Sequence, residues 1–178
     1  APTEIYTLSL HDALPIFIGK KHSSIPVGNM MKFLFNKKLK KVWGDDREVT
    51  LVNQEILNNK PVFRKLIAEY YREMAAALQE GGPTLEIGSG GGFFREYHPH
   101  AIASDMLQVP GIDVVCDATQ LPFREGSLKN IVMRGVLHHI YDPILFFEEC
   151  ERVLAEGGRV IINDPYISPF SYFIYKYI

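Results

Sequence analysis

The sequence predicts an α/β chain built on a doubly wound, Rossmann-like, mostly parallel sheet. Two observations carry that prediction. Strand-like and helix-like segments alternate from residue 61 onward, and the strand-like ones are almost continuously apolar, as strands covered on both faces must be. Acidic or glycine-rich residues also stand at the carboxyl ends of those strands, where open sheets of this kind place their ligands.

The 178 residues, 47% of them apolar, suffice for one sizeable core. A formal net charge of −2 gives no overall attraction to nucleic acid. Two cysteines, Cys116 and Cys150, form neither a metal set nor a disulfide framework, and a reducing, cytoplasmic setting is the default they imply. Each is expected to pack as a small core residue, on a strand and on a helix respectively. No apolar run reaches the roughly 18–20 residues a membrane-spanning helix needs.

Residues 1–17 (APTEIYTLSLHDALPIF) are set aside from the fold. The run from Glu4 to Ile16 resembles the translation of an adapter oligonucleotide used in sequencing libraries, although Pro2 departs from it. The start codon then falls at Met30 or Met31. Residues 18–82 read as an N-terminal helical lid region. Within it, residues 31–43 (MKFLFNKKLKKVW) join Phe33, Leu34, Phe35, Leu39, Val42 and Trp43 to five lysines between Lys32 and Lys41. A lid helix with a solvated lysine face is one reading, and a basic amphipathic helix in peripheral contact with an anionic membrane is the other. Val49, Val52 and Ile56 mark a helix over 47–58. An apolar stripe of Val62, Phe63, Leu66, Ile67, Tyr70, Met74, Ala77 and Leu78 marks a longer one over 61–78. Pro61 suits its first turn, and Gly81-Gly82-Pro83 ends it.

The core proper is expected over 83–178. Strands are predicted at 84–87, 101–106, 113–117, 130–135 and 159–163, with a helix-like run resuming at Phe93. Asp142-Pro143 supplies an N-cap and a first-turn proline for a helix reaching Leu154 and closing at Gly157-Gly158. Ser168-Pro169 opens a further helix within which the chain stops.

Thr84 to Phe94 (TLEIGSGGGFF) is the most informative stretch. Its glycines allow a sharp turn and close approach of backbone to a ligand. Asp105, ending the second strand, is placed to accept both hydroxyls of a ribose, and Asp117, after the third, to accept from an adenine amine. Glu86 would repel a phosphate and suits an ammonium or sulfonium group. Phe93 stands where a dinucleotide fingerprint needs glycine or alanine, and Phe93-Phe94 replaces the Lys-Ser/Thr of a P-loop. S-adenosylmethionine, with adenine, ribose, a sulfonium and an amino-acid head, meets these requirements without a phosphate.

Glu86-Ile87-Gly88-Ser89-Gly90-Gly91-Gly92 resembles the E/D-x-G-x-G-x-G signature of class I S-adenosylmethionine-dependent methyltransferases. Asp117 with residues 118–123 (ATQLPF), Val136-Leu137-His138-His139-Ile140 before Asp142-Pro143, and Arg152-Val153-Leu154 running to Gly157-Gly158-Arg159 resemble the type 11 subgroup. The resemblance covers about residues 83–166. Residues 164–166 and the aromatic stretch after them also resemble members acting in surface-polysaccharide or lipid-modifying pathways.

The resemblance implies a cofactor, S-adenosyl-L-methionine, and roles for particular residues. Glu86, Gly88, Ser89 and Gly90 would hold the methionine portion. Asp105 would bind ribose, Met106 would lie against adenine, and Asp117 and Ala118 would address its edge. The Arg134-Gly135 backbone would close over the methionine head. His138, His139 and Tyr166 are the candidates on the acceptor side. The acceptor would be a small metabolite, a lipid or a sugar, with no nucleic acid expected. A non-catalytic cofactor-binding module or inactive fragment is the alternative, and an NAD-dependent dehydrogenase a more distant one. Family members continue with a helix and an antiparallel strand pair. This chain is therefore expected to be C-terminally truncated, with five strands and an uncovered edge beside the fifth.

Overall fold

The computed structural model describes residues 4–9 and 46–164. Among the described residues six strands form one sheet: β1 (Glu4–Ser9), β2 (Thr84–Ile87), β3 (Ile102–Asp105), β4 (Val114–Val115), β5 (Leu128–Arg134) and β6 (Leu154–Asp164). Their order is β1-β6-β5-β2-β3-β4, and every neighbouring pair is parallel. The chain runs outward from β2 through β3 to β4, then returns to β5 on the other side of β2. The point where strand order reverses, between β2 and β5, is where such sheets bind ligands.

Leu85 and Ile87 of β2, Ile131 and Met133 of β5, and Val160 and Ile162 of β6 point to one face. There they pack under helix α3 (Pro143–Val153) through Phe146, Cys150 and Val153. The alternate residues Val132 and Ile161 meet Tyr71 and Met74 of helix α2 (Pro61–Ala76) on the opposite face, together with Phe94. Glu86 pairs in register with Val132 and Ala103, so it lies on the α2 side. Helix α1 (Asp46–Asn59) precedes α2 and contacts it.

Several expectations need correction. Among the described residues the sheet has six strands rather than five, because residues 4–9, set aside from the fold, pair in parallel with residues 159–164. The edge beside the last core strand is covered. The physical reason is that Glu4–Ser9 (EIYTLS) is rich in strand-favouring Ile, Tyr and Thr, and the unpaired edge of β6 offers a ready row of donors and acceptors. No regular α-helix resumes at Phe93: a four-residue 3-10 turn, Phe93–Glu96, stands there. Gly92 before it is left-handed at φ 73°, and Pro99 soon after it disfavours helical backbone at His98. Helix α3 stops at Val153, and Leu154 already belongs to β6, whose first pairing with β5 is interrupted by a register shift. The Asp142 cap forms as expected, its Oδ1 accepting from the Ile144 and Leu145 amides at 3.1 and 3.0 Å. Cys116 is half-buried against the core and Cys150 is buried within it, both as free thiols. The lysine-rich stretch 31–43, Tyr166 and the helix expected from Ser168 lie outside the described residues.

Candidate functional site

The glycine loop leaves β2 at the sheet's reversal point, and its shape follows from three left-handed glycines, Gly88 (φ 64°), Gly90 (φ 60°) and Gly92 (φ 73°). Gly88 has a second constraint. A Cβ there would lie 2.3 Å from Val136 Cγ2, so the segment after β5 closes directly over it.

The amides of Ser89, Gly90, Gly91 and Gly92 are turned toward protein acceptors. Ser89 N donates to Ser104 O at 2.9 Å and Gly90 N to Asp105 Oδ2 at 2.9 Å. Gly91 N donates to Ser89 O at 2.7 Å, and Gly92 N to Ser89 Oγ at 3.0 Å. Asp105 therefore pins the loop with one oxygen, while its Oδ1 accepts from Leu107 N at 2.9 Å. Above the loop, Gln54 of α1 donates its side-chain amide to the Gly90 carbonyl.

Glu86 is 2% exposed and sits beneath the loop. The Ser89 hydroxyl donates to it, and so does the Tyr71 hydroxyl from α2. Burial outweighs these donors and the nearby Arg134 and Arg95 charges, and raises its pKa from 4.5 to about 7. The guanidinium carbon of Arg134 lies 5.5 Å from the Tyr71 ring centroid, and its Nε is buried without a hydrogen-bond partner.

The other expected residues fall around the same end of the sheet. Met106 is 66% exposed just past β3. Asp117 is exposed and closes a turn, its Oδ1 accepting from Thr119 N at 2.8 Å and Thr119 Oγ1 at 2.7 Å; these donors hold its carboxyl below the usual range. Ala118 is buried. Gly135, left-handed at φ 66°, spends its N–H on Asn163 O at 2.7 Å, so this amide braces β6 rather than pointing at a ligand. His138 Nδ1 lies 3.0 Å from Asp164 Oδ2, and the His139 ring centroid lies 4.0 Å from that of His138, the planes tilted by 43°. Among the described residues no group of three or more His, Cys, Asp or Glu is placed to hold a metal ion.

Sequence reasoning missed Tyr71, Gln54, Val136 and Asp164 as parts of this site. Tyr71 had a signal: it lies four residues after Ile67 and three before Met74, on the buried stripe of its helix. Gln54 and Asp164 carry no local pattern that marks them.

An open parallel sheet with a glycine loop at its reversal point and acids on the adjoining strand ends is a Rossmann-like fold, which places its ligands at that end of the sheet. Residues 85–162 match the family model described as a methyltransferase domain. A ubiquinone/menaquinone biosynthesis C-methyltransferase of Desulfotalea psychrophila is 30% identical over 112 residues, covering 59% of this chain and 44% of that protein. A probable tRNA methyltransferase 9B of Mus musculus is 30% identical over 121 residues, covering 59% of this chain and 27% of that protein. The crystal structure of a possible histamine N-methyltransferase from Thermotoga maritima superposes with a TM-score of 0.55 at 19% identity. It covers 68% of this chain and 60% of that one, which shows the shared fold. Residues 85–162 are thus similar to the methyltransferase domains that use S-adenosyl-L-methionine as cofactor. The chain spans less than half the length of the two curated relatives named.

Proposed function

We propose that this protein transfers the methyl group of S-adenosyl-L-methionine to a small-molecule acceptor: a metabolite, a lipid or a sugar. One observation carries the choice of donor. The amides of Ser89, Gly90, Gly91 and Gly92 are all given to protein acceptors, and a carboxylate lies beneath them. A dinucleotide or nucleoside triphosphate needs free loop N–H groups and an α-helix N-terminus for its phosphates, whereas these four amides are taken and a four-residue 3-10 turn follows Gly92. A phosphate-free, cationic cofactor fits the same cradle.

In this reading Glu86, Gly88, Ser89 and Gly90 hold the methionine portion. Asp105 takes the ribose hydroxyls on lone pairs left over from Gly90 and Leu107. Met106, Asp117 and Ala118 surround the adenine, and Arg134 with Gly135 bounds the methionine head. The bound cofactor supplies a methyl group already activated on sulfonium sulfur. The acceptor's nucleophile forms the new bond to that carbon as the carbon–sulfur bond breaks and its electron pair returns to sulfur. The chain's own task is alignment and exclusion of water.

An acceptor hydroxyl or carbon acid must also lose a proton. His138 is the residue we assign to that step, with Nδ1 turned to Asp164 and Nε2 left to accept. His139 supports its ring, and Tyr166 is assigned to the acceptor pocket. The relative named for ubiquinone/menaquinone biosynthesis supports a small-molecule acceptor, and the lysines between Lys32 and Lys41 are proposed to bring the protein to an anionic membrane surface. A cytoplasmic setting is part of the proposal and is supported by the two free thiols.

The test is methyl transfer from labelled cofactor to a fractionated cell extract. Label in the small-molecule or lipid fraction is expected. Label confined to RNA, as the tRNA methyltransferase relative would suggest, overturns the acceptor class. Cofactor binding with no transfer marks a non-catalytic module.

A further inference from the structure

We infer that Tyr71 of helix α2 is a positioning residue of the cofactor site, its hydroxyl holding the Glu86 carboxylate beneath the glycine loop and its ring holding Arg134 beside it. The inference rests on the cofactor reading above and extends it to a helix outside the matched domain.

The geometry brings three elements together around one buried acid. Tyr71 is 4% exposed and shares hydrogen bonds with both Glu86 and Arg134. Its ring is fixed from the other side by Phe94 and Tyr97, with centroids 5.5 and 5.7 Å away. The end of α2 is itself tied to the sheet. Asn130 Oδ1 accepts from Gln79 N at 2.8 Å, and Asn130 Nδ2 donates to Gln79 O at 2.9 Å. The Tyr71 hydroxyl is thus held in place rather than free to follow solvent.

A buried carboxylate is useful to a cationic ligand only when it is charged. Burial opposes that charge, and four groups favour it: Tyr71 from α2, Ser89 from the loop, Arg134 from β5 and Arg95 from the 3-10 turn. The balance leaves Glu86 at about 7, so each donor counts at neutral pH. Tyr71 stays protonated, and so remains a donor, because burial and the neighbouring Glu86 push its own pKa up to about 12. Removing the Tyr71 hydroxyl then raises the pH at which Glu86 ionises. Cofactor affinity should follow the ionised fraction.

The experiment is titration calorimetry of S-adenosylmethionine against the full chain from pH 6 to pH 9. Wild type is expected to bind more tightly as pH rises through about 7. In Tyr71→Phe, which keeps the ring, the profile moves to higher pH. A one-unit move weakens binding roughly fivefold at pH 7 and very little at pH 9. Site-specific 3-fluorotyrosine at position 71 is nearly isosteric and a stronger donor, and it should move the profile the other way even if the Phe variant folds poorly. Profiles that superimpose, or affinity lowered by one factor at every pH, overturn the inference. Wild type that binds no cofactor at any pH instead overturns the function proposed above.

Discussion

Gly90 gives its amide to Asp105 Oδ2 at 2.9 Å, so the acid expected to hold the ribose also holds the glycine loop in place. The two roles compete for different lone pairs of one carboxylate and should separate by mutation. Asp105→Asn keeps a carbonyl but replaces one acceptor with a donor that faces an N–H. Loss of a charged hydrogen bond of about 1.5–3 kcal/mol predicts cofactor binding weaker by about 10- to 100-fold, read by calorimetry.

Gly88 is fixed by backbone and by packing together. Gly88→Ala must adopt φ 64° and also push aside Val136 Cγ2, 2.3 Å from the new Cβ. A loss of about 2–4 kcal/mol is expected in urea unfolding. Adding Val136→Ala should recover the packing part and leave the backbone part.

Glu86 makes the cofactor-free protein sensitive to pH. Its folded pKa of about 7 stands above the ordinary 4.5, so the folded state prefers the proton. The stability this gives is full below pH 4.5 and is lost as pH rises through about 7. The shift corresponds to roughly 3 kcal/mol at most. Glu86→Gln, neutral throughout, should unfold at higher urea than wild type at pH 8, with a smaller gap at pH 5. The same variant should bind cofactor weakly at both.

His138 and Asp164 should matter after binding. Asp164→Asn or His138→Gln is expected to leave cofactor affinity within about twofold, since neither touches the glycine loop in this structure. Methyl transfer to a hydroxyl or carbon acceptor should fall by about 10²- to 10⁴-fold, the usual worth of a positioned base. Labelled-methyl assays measure both.

Residues 4–9 cover a sheet edge far from the glycine loop, since β6 and β5 stand between β1 and β2. Deleting residues 1–9 should leave cofactor affinity unchanged while promoting aggregation by light scattering, because the edge of β6 is then open.

The parallel sheet and its loop were legible in the sequence because each rests on local pattern: apolar runs at β2, β5 and β6, a capped α3 at Asp142-Pro143, and glycines where backbone turns left-handed. The pairing of β1 was not, since an edge recruits a segment by hydrogen bonds that leave no periodic trace. Glu86 could be read as an acid in the right motif, but not as one buried between Ser89 and Tyr71. Those partners come from a turn and from a helix fifteen residues earlier, joined only by tertiary packing. The His138–Asp164 contact is likewise long-range, bridging the ends of two strand segments.

The central claim is that the loop from Glu86 to Gly92 receives S-adenosylmethionine rather than a phosphorylated nucleotide. Parallel calorimetric titrations of the chain with S-adenosylmethionine and with NAD at pH 8 test it most directly. Saturable binding of S-adenosylmethionine, weakened in Asp105→Asn, with none for NAD is the expected result. Binding of NAD without S-adenosylmethionine would contradict the account.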